Sequence, residues 1–186
     1  LIGLLVFTEV FKVFLEYINI NYLKKNSNVP SEFSDTVDSA EFSKIINYTH
    51  DKTRFGIIED ICMNLLAWGM IFLGPFTWWA VKCGNFTECP SFNSTVFIWG
   101  LYFISFLAGI YFSYKSNFCI EAEYGFNTQS VKIWAVDLIK AFAVSTVLIF
   151  LIGIAVFYLF YSAGTYWWLW AWAAVSLFGI ILTNLY

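Results

Sequence analysis

From Ala141 to Tyr186 the chain holds no Asp, Glu, Lys, Arg or His. A soluble element of that length needs a charged face to keep its outer side in water, so an uncharged run this long implies a lipid environment. The rest of the chain agrees. Of its 186 residues 60% are hydrophobic and only 12% charged, whereas soluble domains carry about 25% charged residues. A helix rises about 1.5 Å per residue, so about 20 apolar residues cross a hydrocarbon core of about 30 Å. Backbone groups find no water there, and the apolar runs are too long for barrel strands and lack their period of two. The expected class is all-α, a multi-pass transmembrane helical domain.

Five runs fit as spans, at about 1–20, 61–81, 96–114, 131–160 and 165–186, within a single membrane domain covering 1–186. The polar stretch 21–57, which contains Pro30, reads as a small cytoplasmic loop subdomain. Ser162, Ala163 and Gly164 form a turn signal that makes a hairpin of the last two spans. Lys24, Lys25, Lys44, Lys52 and Arg54 fall in the first loop, and Lys115, Lys132 and Lys140 lie around the third. That asymmetry places both on the cytoplasmic side. Phe42, Ile45, Ile46 and Tyr48 recur at helical spacing, which predicts an interfacial helix over 39–53 running into the second span. Glu59 and Asp60 would then sit in that span's first turn, complementing the helix dipole. Gly74-Pro75 predicts a bend late in the same span. Trp167, Trp168, Trp170 and Trp172 open the fifth span as an aromatic belt. Leu1 and Tyr186 both fall inside apolar runs, so the chain is expected to be a fragment of a longer one.

The outer second loop contains Cys83 and Cys89, for which a disulfide and two free thiols are both open readings. It also holds the glycosylation triplets Asn85-Phe86-Thr87 and Asn93-Ser94-Thr95. A third copy, Asn47-Tyr48-Thr49, falls on the expected cytoplasmic side, so chance occurrence is the simpler reading and glycosylation is not expected. Cys62 and Cys119 read as lone buried or interfacial thiols.

Net charge is −3 with scattered Lys and Arg, which excludes a nucleic-acid partner. The chain has one histidine, His50. A catalytic zinc site of the H-E-x-x-H type needs two, and Ser/His/Asp triads and glycine-rich phosphate loops are also missing, so this segment has no complete catalytic set and no metal site of its own. His50 beside Asp51 and Lys52 reads as a solvated loop imidazole. Charge does appear where it is expensive. Glu9, Lys12 and Glu16 are spaced i, i+3, i+7, so they share one face of the first span, and Lys12 has either acid as a partner. A central membrane charge costs about 2.5–3.5 kcal/mol on insertion scales, so this face looks onto protein or enclosed water rather than lipid. An ion triplet between packed helices and a water-filled cavity both satisfy it. Asp137 and Lys140 repeat the pattern at i, i+3 near the cytoplasmic end of the fourth span, where both reach the interface by snorkelling.

Three stretches resemble one family: Tyr48-Thr-His-Asp-Lys-Thr-Arg-Phe-Gly56 before the second span, Glu121-Ala-Glu-Tyr-Gly-Phe-Asn127 with Asp137-Leu-Ile-Lys140 after the third, and Ala163-Gly164 followed by the tryptophan run. In order and spacing they are similar to the amino-terminal region of the type I CAAX prenyl proteases. The resemblance implies an integral-membrane zinc metalloendopeptidase whose spans ring a water-filled chamber, in an endoplasmic reticulum or prokaryotic cell membrane. It implies peptide or prenylated protein substrates, with zinc held by the parent protein. The H-E-x-x-H helix is absent from this sequence, so no metal ligand and no catalytic residue carries over, and this segment by itself is expected to be inactive. Arg54, Phe55, Gly56, Glu123, Gly125, Phe126 and Asn127 match the family motif and are expected to be architectural or chamber-forming. Gly125 between aromatic residues permits a tight turn, and Asn127 is placed to cap the helix entering the fourth span.

Two readings from other classes use the same charges. One is a small transporter or channel subunit with a polar path along Glu9, Lys12, Glu16 and Asp137; the other is a structural subunit of a membrane complex.

Overall fold

The computed structural model describes residues 2–25 and 38–185. Pro30 and the centre of the expected cytoplasmic loop subdomain lie outside the described residues. The described elements are helical throughout: α1 (Ile2–Lys25), α2 (Ser39–Phe72), α3 (Pro75–Gly84), α4 (Pro90–Lys115), α5 (Val131–Ser162) and α6 (Trp167–Leu185). A π turn, Ser116–Glu121, extends α4, and a 3-10 turn, Gly164–Tyr166, precedes α6. Among the described residues four helical stretches are long and apolar enough to cross a membrane: Ser39–Phe72, Pro90–Glu121, Val131–Ser162 and Gly164–Ile181. α1 has the length, but Glu9, Lys12 and Glu16 occupy its middle. The protein is an all-α, multi-pass integral membrane protein.

Several boundaries differ from the sequence-based expectation. The interfacial helix and the second span are one continuous helix, α2, and α1 runs on to Lys25, so both ends of 21–57 are helical rather than loop. At about 1.5 Å per residue, the 34 residues of α2 reach about 51 Å, well beyond a hydrocarbon core of about 30 Å, so its polar amino-terminal half stands clear of the acyl region. His50 is accordingly a half-buried helical residue, not a loop imidazole. Glu59 and Asp60 fall in the interior of α2, where the dipole of its first turn no longer reaches, and the first-turn acid is Glu41.

At Gly74-Pro75 the helix ends outright. Gly74 adopts φ 97°, a left-handed conformation that stops α2, and Pro75 begins α3. Proline lacks an N–H, and its ring would collide with the carbonyl one turn back, whereas its fixed φ suits the first position of a helix. The α5 cap is Ser130, whose side chain accepts from the Ile133 N–H at 3.3 Å. Asn127 instead closes the preceding turn through its backbone N–H to the Glu121 carbonyl, 3.2 Å away. Gly164, at φ 61°, supports the expected reversal between α5 and α6, which pack along each other.

The chain divides into two compact units, residues 1–65 with 109–128, and residues 66–108 with 129–186. The second is held by rings and small residues. Trp99 packs on Phe103, Phe142 and Phe150 and donates its Nε1–H to the Thr146 hydroxyl at 3.2 Å. Trp79 lies on Gly100 and donates Nε1–H to the Phe97 carbonyl at 3.1 Å. Thr95, with 0% exposure, faces Gly153. Lipid is as apolar as leucine, so close approach at glycines and ring packing must hold such helices together.

Between α3 and α4 the buried Asn93 amide stitches the loop. Its oxygen accepts from the Thr87 N–H at 3.0 Å and the Thr87 hydroxyl at 2.8 Å, and its nitrogen donates to the carbonyls of Gly84 and Thr87 at 3.1 and 2.8 Å. This asparagine of the glycosylation triplet is therefore a structural clamp. Cys83 and Cys89 are free thiols, not a disulfide; the first is buried and the second exposed, so the two face different surroundings.

Candidate functional site

The motif residues of the first unit assemble along one stripe of α2. Lys44, Tyr48, Asp51, Lys52 and Phe55 recur at i, i+4, i+7, i+8 and i+11, the pattern of one helix face. Each meets a residue from the end of α4 or the turn after it. Lys44 lies 5.2 Å above the Phe126 ring, and the Tyr48 ring sits edge-on to Phe126 with centroids 4.7 Å apart. Lys52 Nζ donates to Glu121 Oε1 at 2.7 Å and to the Tyr48 hydroxyl at 2.7 Å. The Tyr124 hydroxyl donates to Asp51 Oδ2 at 2.5 Å. Further along, Phe55 packs against the buried Phe112.

The π turn Ser116–Glu121 and Gly125 make this meeting possible. The turn inserts an extra residue into the helical register at the end of α4. The Glu121 carbonyl then accepts from the Phe126 N–H at 2.8 Å, and Gly125 takes φ 71°. An added Cβ at Gly125 would meet nothing nearer than Lys44 Nζ at 3.7 Å, so glycine is required there for its backbone angle rather than for space. The Asp51 carboxylate, bonded to the phenol, holds Tyr124 well above an ordinary tyrosine, pushed up to about 12. Asp51 also bonds His50 Nδ1 at 3.0 Å.

The expected membrane charges resolve differently. Lys12 bonds neither Glu9 nor Glu16: its partner is Asp60 of α2. The pair is 51% and 42% exposed at Lys12 and Asp60 respectively. Glu9 and Glu16 are half-buried and form no ion pair among the described residues. Asp137 pairs with Lys140 at 3.7 Å and accepts from Gln129 Nε2 at 3.1 Å, both on the exposed start of α5. Arg54 and Glu123 are exposed, and Gly56 has open space around it.

Sequence reasoning missed Asp60, Asp51, Lys52, Glu121 and Tyr124 as partners. The signal was present in part, because Tyr48, Asp51 and Lys52 share a helix face, but their counterparts lie some seventy residues away in the chain. Among the described residues no group of three His, Cys, Asp or Glu side chains is placed to hold a metal ion. The described residues do not fit a zinc site, and the arrangement's chemistry is that of a charged, hydrogen-bonded scaffold.

Residues 19–186 match the family model described as CAAX prenyl protease N-terminal, five membrane helices. The chain belongs to this family. It is 24% identical over 184 residues to the CAAX prenyl protease 1 homolog of Mus musculus, covering 95% of this chain and 39% of that protein. It is 32% identical over 162 residues to CAAX prenyl protease 1 of Saccharomyces cerevisiae, covering 81% of this chain and 34% of the yeast protein. Against the probable CAAX prenyl protease 1 of Schizosaccharomyces pombe the identity is 29% over 169 residues, 84% of this chain and 36% of that one. The chain thus corresponds to the amino-terminal membrane region of these family members, well under half of their length.

Proposed function

We propose that this region forms part of the wall of a water-filled intramembrane chamber in a zinc metalloendopeptidase acting on prenylated protein or peptide substrates. Zinc and the catalytic motif belong to chain beyond this region. The reading rests on one observation: the Lys12–Asp60 pair joins two helices in their interior, yet about half of each side chain is uncovered. An ion pair so open to acyl chains would cost several kcal/mol in desolvation, so water or further polar protein faces it. Half-buried Glu9 and Glu16 on the same helix ask for the same surroundings. The positive residues of the Tyr48–Gly56 segment support a cytoplasmic position for the amino-terminal extension of α2.

Two measurements on the full-length protein test this. A cysteine replacing Glu16 in a cysteine-free background is expected to react with a membrane-impermeant maleimide at the rate of a water-exposed thiol; protection equal to that of a lipid-facing control position overturns the chamber. Cleavage of a farnesylated peptide is expected to require bound zinc and to stop with chelator; metal-free material with undiminished cleavage overturns the metallopeptidase assignment.

A further inference from the structure

The second unit contains a cleft of about 670 Å³ that the proposed chamber wall does not use. That volume is in the range of about 300–1,000 Å³ in which small-ligand sites fall. Its walls come from the end of α3, the loop 85–89, the first turns of α4 and the last turns of α5, so it lies where those helices end. On the topology drawn from Lys and Arg, that is the non-cytoplasmic headgroup level.

The lining is both polar and apolar. Phe97, Ile98 and Phe157 contribute apolar surface, while Glu88, Ser94 and Tyr161 contribute polar groups. Glu88 is exposed and forms no ion pair among the described residues. Ser94 Oγ and Tyr161 OH are 3.0 Å apart. Two hydroxyls carry two protons, and the bond between them uses one, so the other remains to be donated to an acceptor in the cleft. A lone carboxylate calls for a cation, and a free hydroxyl donor beside it calls for an anionic oxygen. Apolar rings in the same lining call for a hydrocarbon tail.

We propose that this cleft binds a zwitterionic phospholipid with a primary ammonium headgroup. The ammonium meets Glu88, a phosphate oxygen accepts from the Ser94–Tyr161 pair, and the first part of one acyl chain lies along Phe97 and Phe157. A primary ammonium donates charge-assisted hydrogen bonds to the carboxylate, which a quaternary ammonium cannot do. A headgroup with net negative charge meets Glu88 as a like charge.

The test uses delipidated full-length protein in detergent, titrated with dioleoyl phosphatidylethanolamine, phosphatidylcholine or phosphatidylglycerol, with bound lipid counted by native mass spectrometry. Phosphatidylethanolamine is expected to bind about tenfold tighter than phosphatidylglycerol, a difference set by one charged contact. Glu88→Gln is expected to abolish that preference, and Tyr161→Phe to weaken every phospholipid by about threefold. Unfolding temperatures of both variants within the error of the parent show that the fold is intact. Equal affinity for the three lipids, or a preference that survives Glu88→Gln, overturns the proposal. Displacement of the lipid by equimolar ethanolamine phosphate overturns the phospholipid as occupant, leaving only its headgroup chemistry.

Discussion

The two units solve the same problem with different materials. In the first, α2 meets the end of α4 and the turn beyond it through ion pairs, a phenol–carboxylate bond and a cation over a ring. In the second, α4 meets α5 through packed aromatic rings and close approach at glycine, with a hydrogen bond from the Trp99 indole. The difference follows solvent. The amino-terminal half of α2 extends beyond the acyl region, where charged groups keep partial hydration and pair at little cost. The second unit is nearly devoid of charge along α5 and α6, so shape must supply what charge cannot. Polar contacts place groups by direction and are replaceable by neighbours or water, whereas ring-on-glycine contacts tolerate no added atom.

The comparison is sharpened most by Gly100→Ala. Its Cβ would lie 2.4 Å from Trp79 Nε1, and a rigid indole cannot yield without losing the Phe97 carbonyl. A loss of about 2–3 kcal/mol is expected in thermal unfolding of the full-length protein, typical of overpacking; an unchanged midpoint would mean that the second unit does not depend on this approach.

Next comes a cycle on the first unit. Asp60→Leu strands Lys12, and because both groups are about half exposed the expected loss is about 1–2 kcal/mol, below that of a fully buried pair. Lys12→Met combined with Asp60→Leu is expected to recover most of it, read as the coupling energy of the cycle. Recovery is the expected signature of a pair held for placement; additive losses would show two independent sites.

The two motif glycines should behave oppositely. Gly125→Ala is expected to cost about 1 kcal/mol through its left-handed backbone angle. Gly56→Ala, with open space around it in the middle of α2, is expected to be neutral or to stabilise by about 0.5 kcal/mol through helix propensity. A clear loss at Gly56 would show that protein outside the described residues packs there.

The smallest effect is a titration. Tyr124 has its folded value raised to about 12 by the Asp51 carboxylate. A raised value means that the stabilisation is fully present below the unfolded tyrosine value of about 10 and is lost as pH rises through about 12. Ultraviolet absorbance should show one late tyrosinate step that moves toward about 10 in Asp51→Asn; no movement would remove Asp51 as the cause.

Much of the architecture was legible because it depends on local chemistry. Uncharged runs mark helices in lipid, Ser162-Ala163-Gly164 marks a reversal, and Gly125 marks a turn. Where the reading failed, competing local signals were close in strength. Gly74-Pro75 reads equally as a bend or a stop, and the left-handed angle of Gly74 decides for the stop. Asn127 and Ser130 are both cap formers, and Ser130 is the one placed to accept from Ile133. By contrast, Phe42, Ile45, Ile46 and Tyr48 at helical spacing marked a helix over 39–53 running into the second span, and nothing in that stretch breaks helical hydrogen bonding, so α2 runs through.

Composition and local patterning are enough to establish that this chain lives in a membrane as helices, which of them carry charge, and to which family its motifs belong. Those properties are sums over neighbouring residues, and periodicity and composition record them. Helix packing alone selects Asp60 rather than Glu9 or Glu16 as the partner of Lys12, and sends Lys52 and Asp51 across to Glu121 and Tyr124. Ion-pair partners are selected by distance in space, which falls steeply with small changes in helix register, and no local pattern encodes the register between helices some fifty to seventy residues apart.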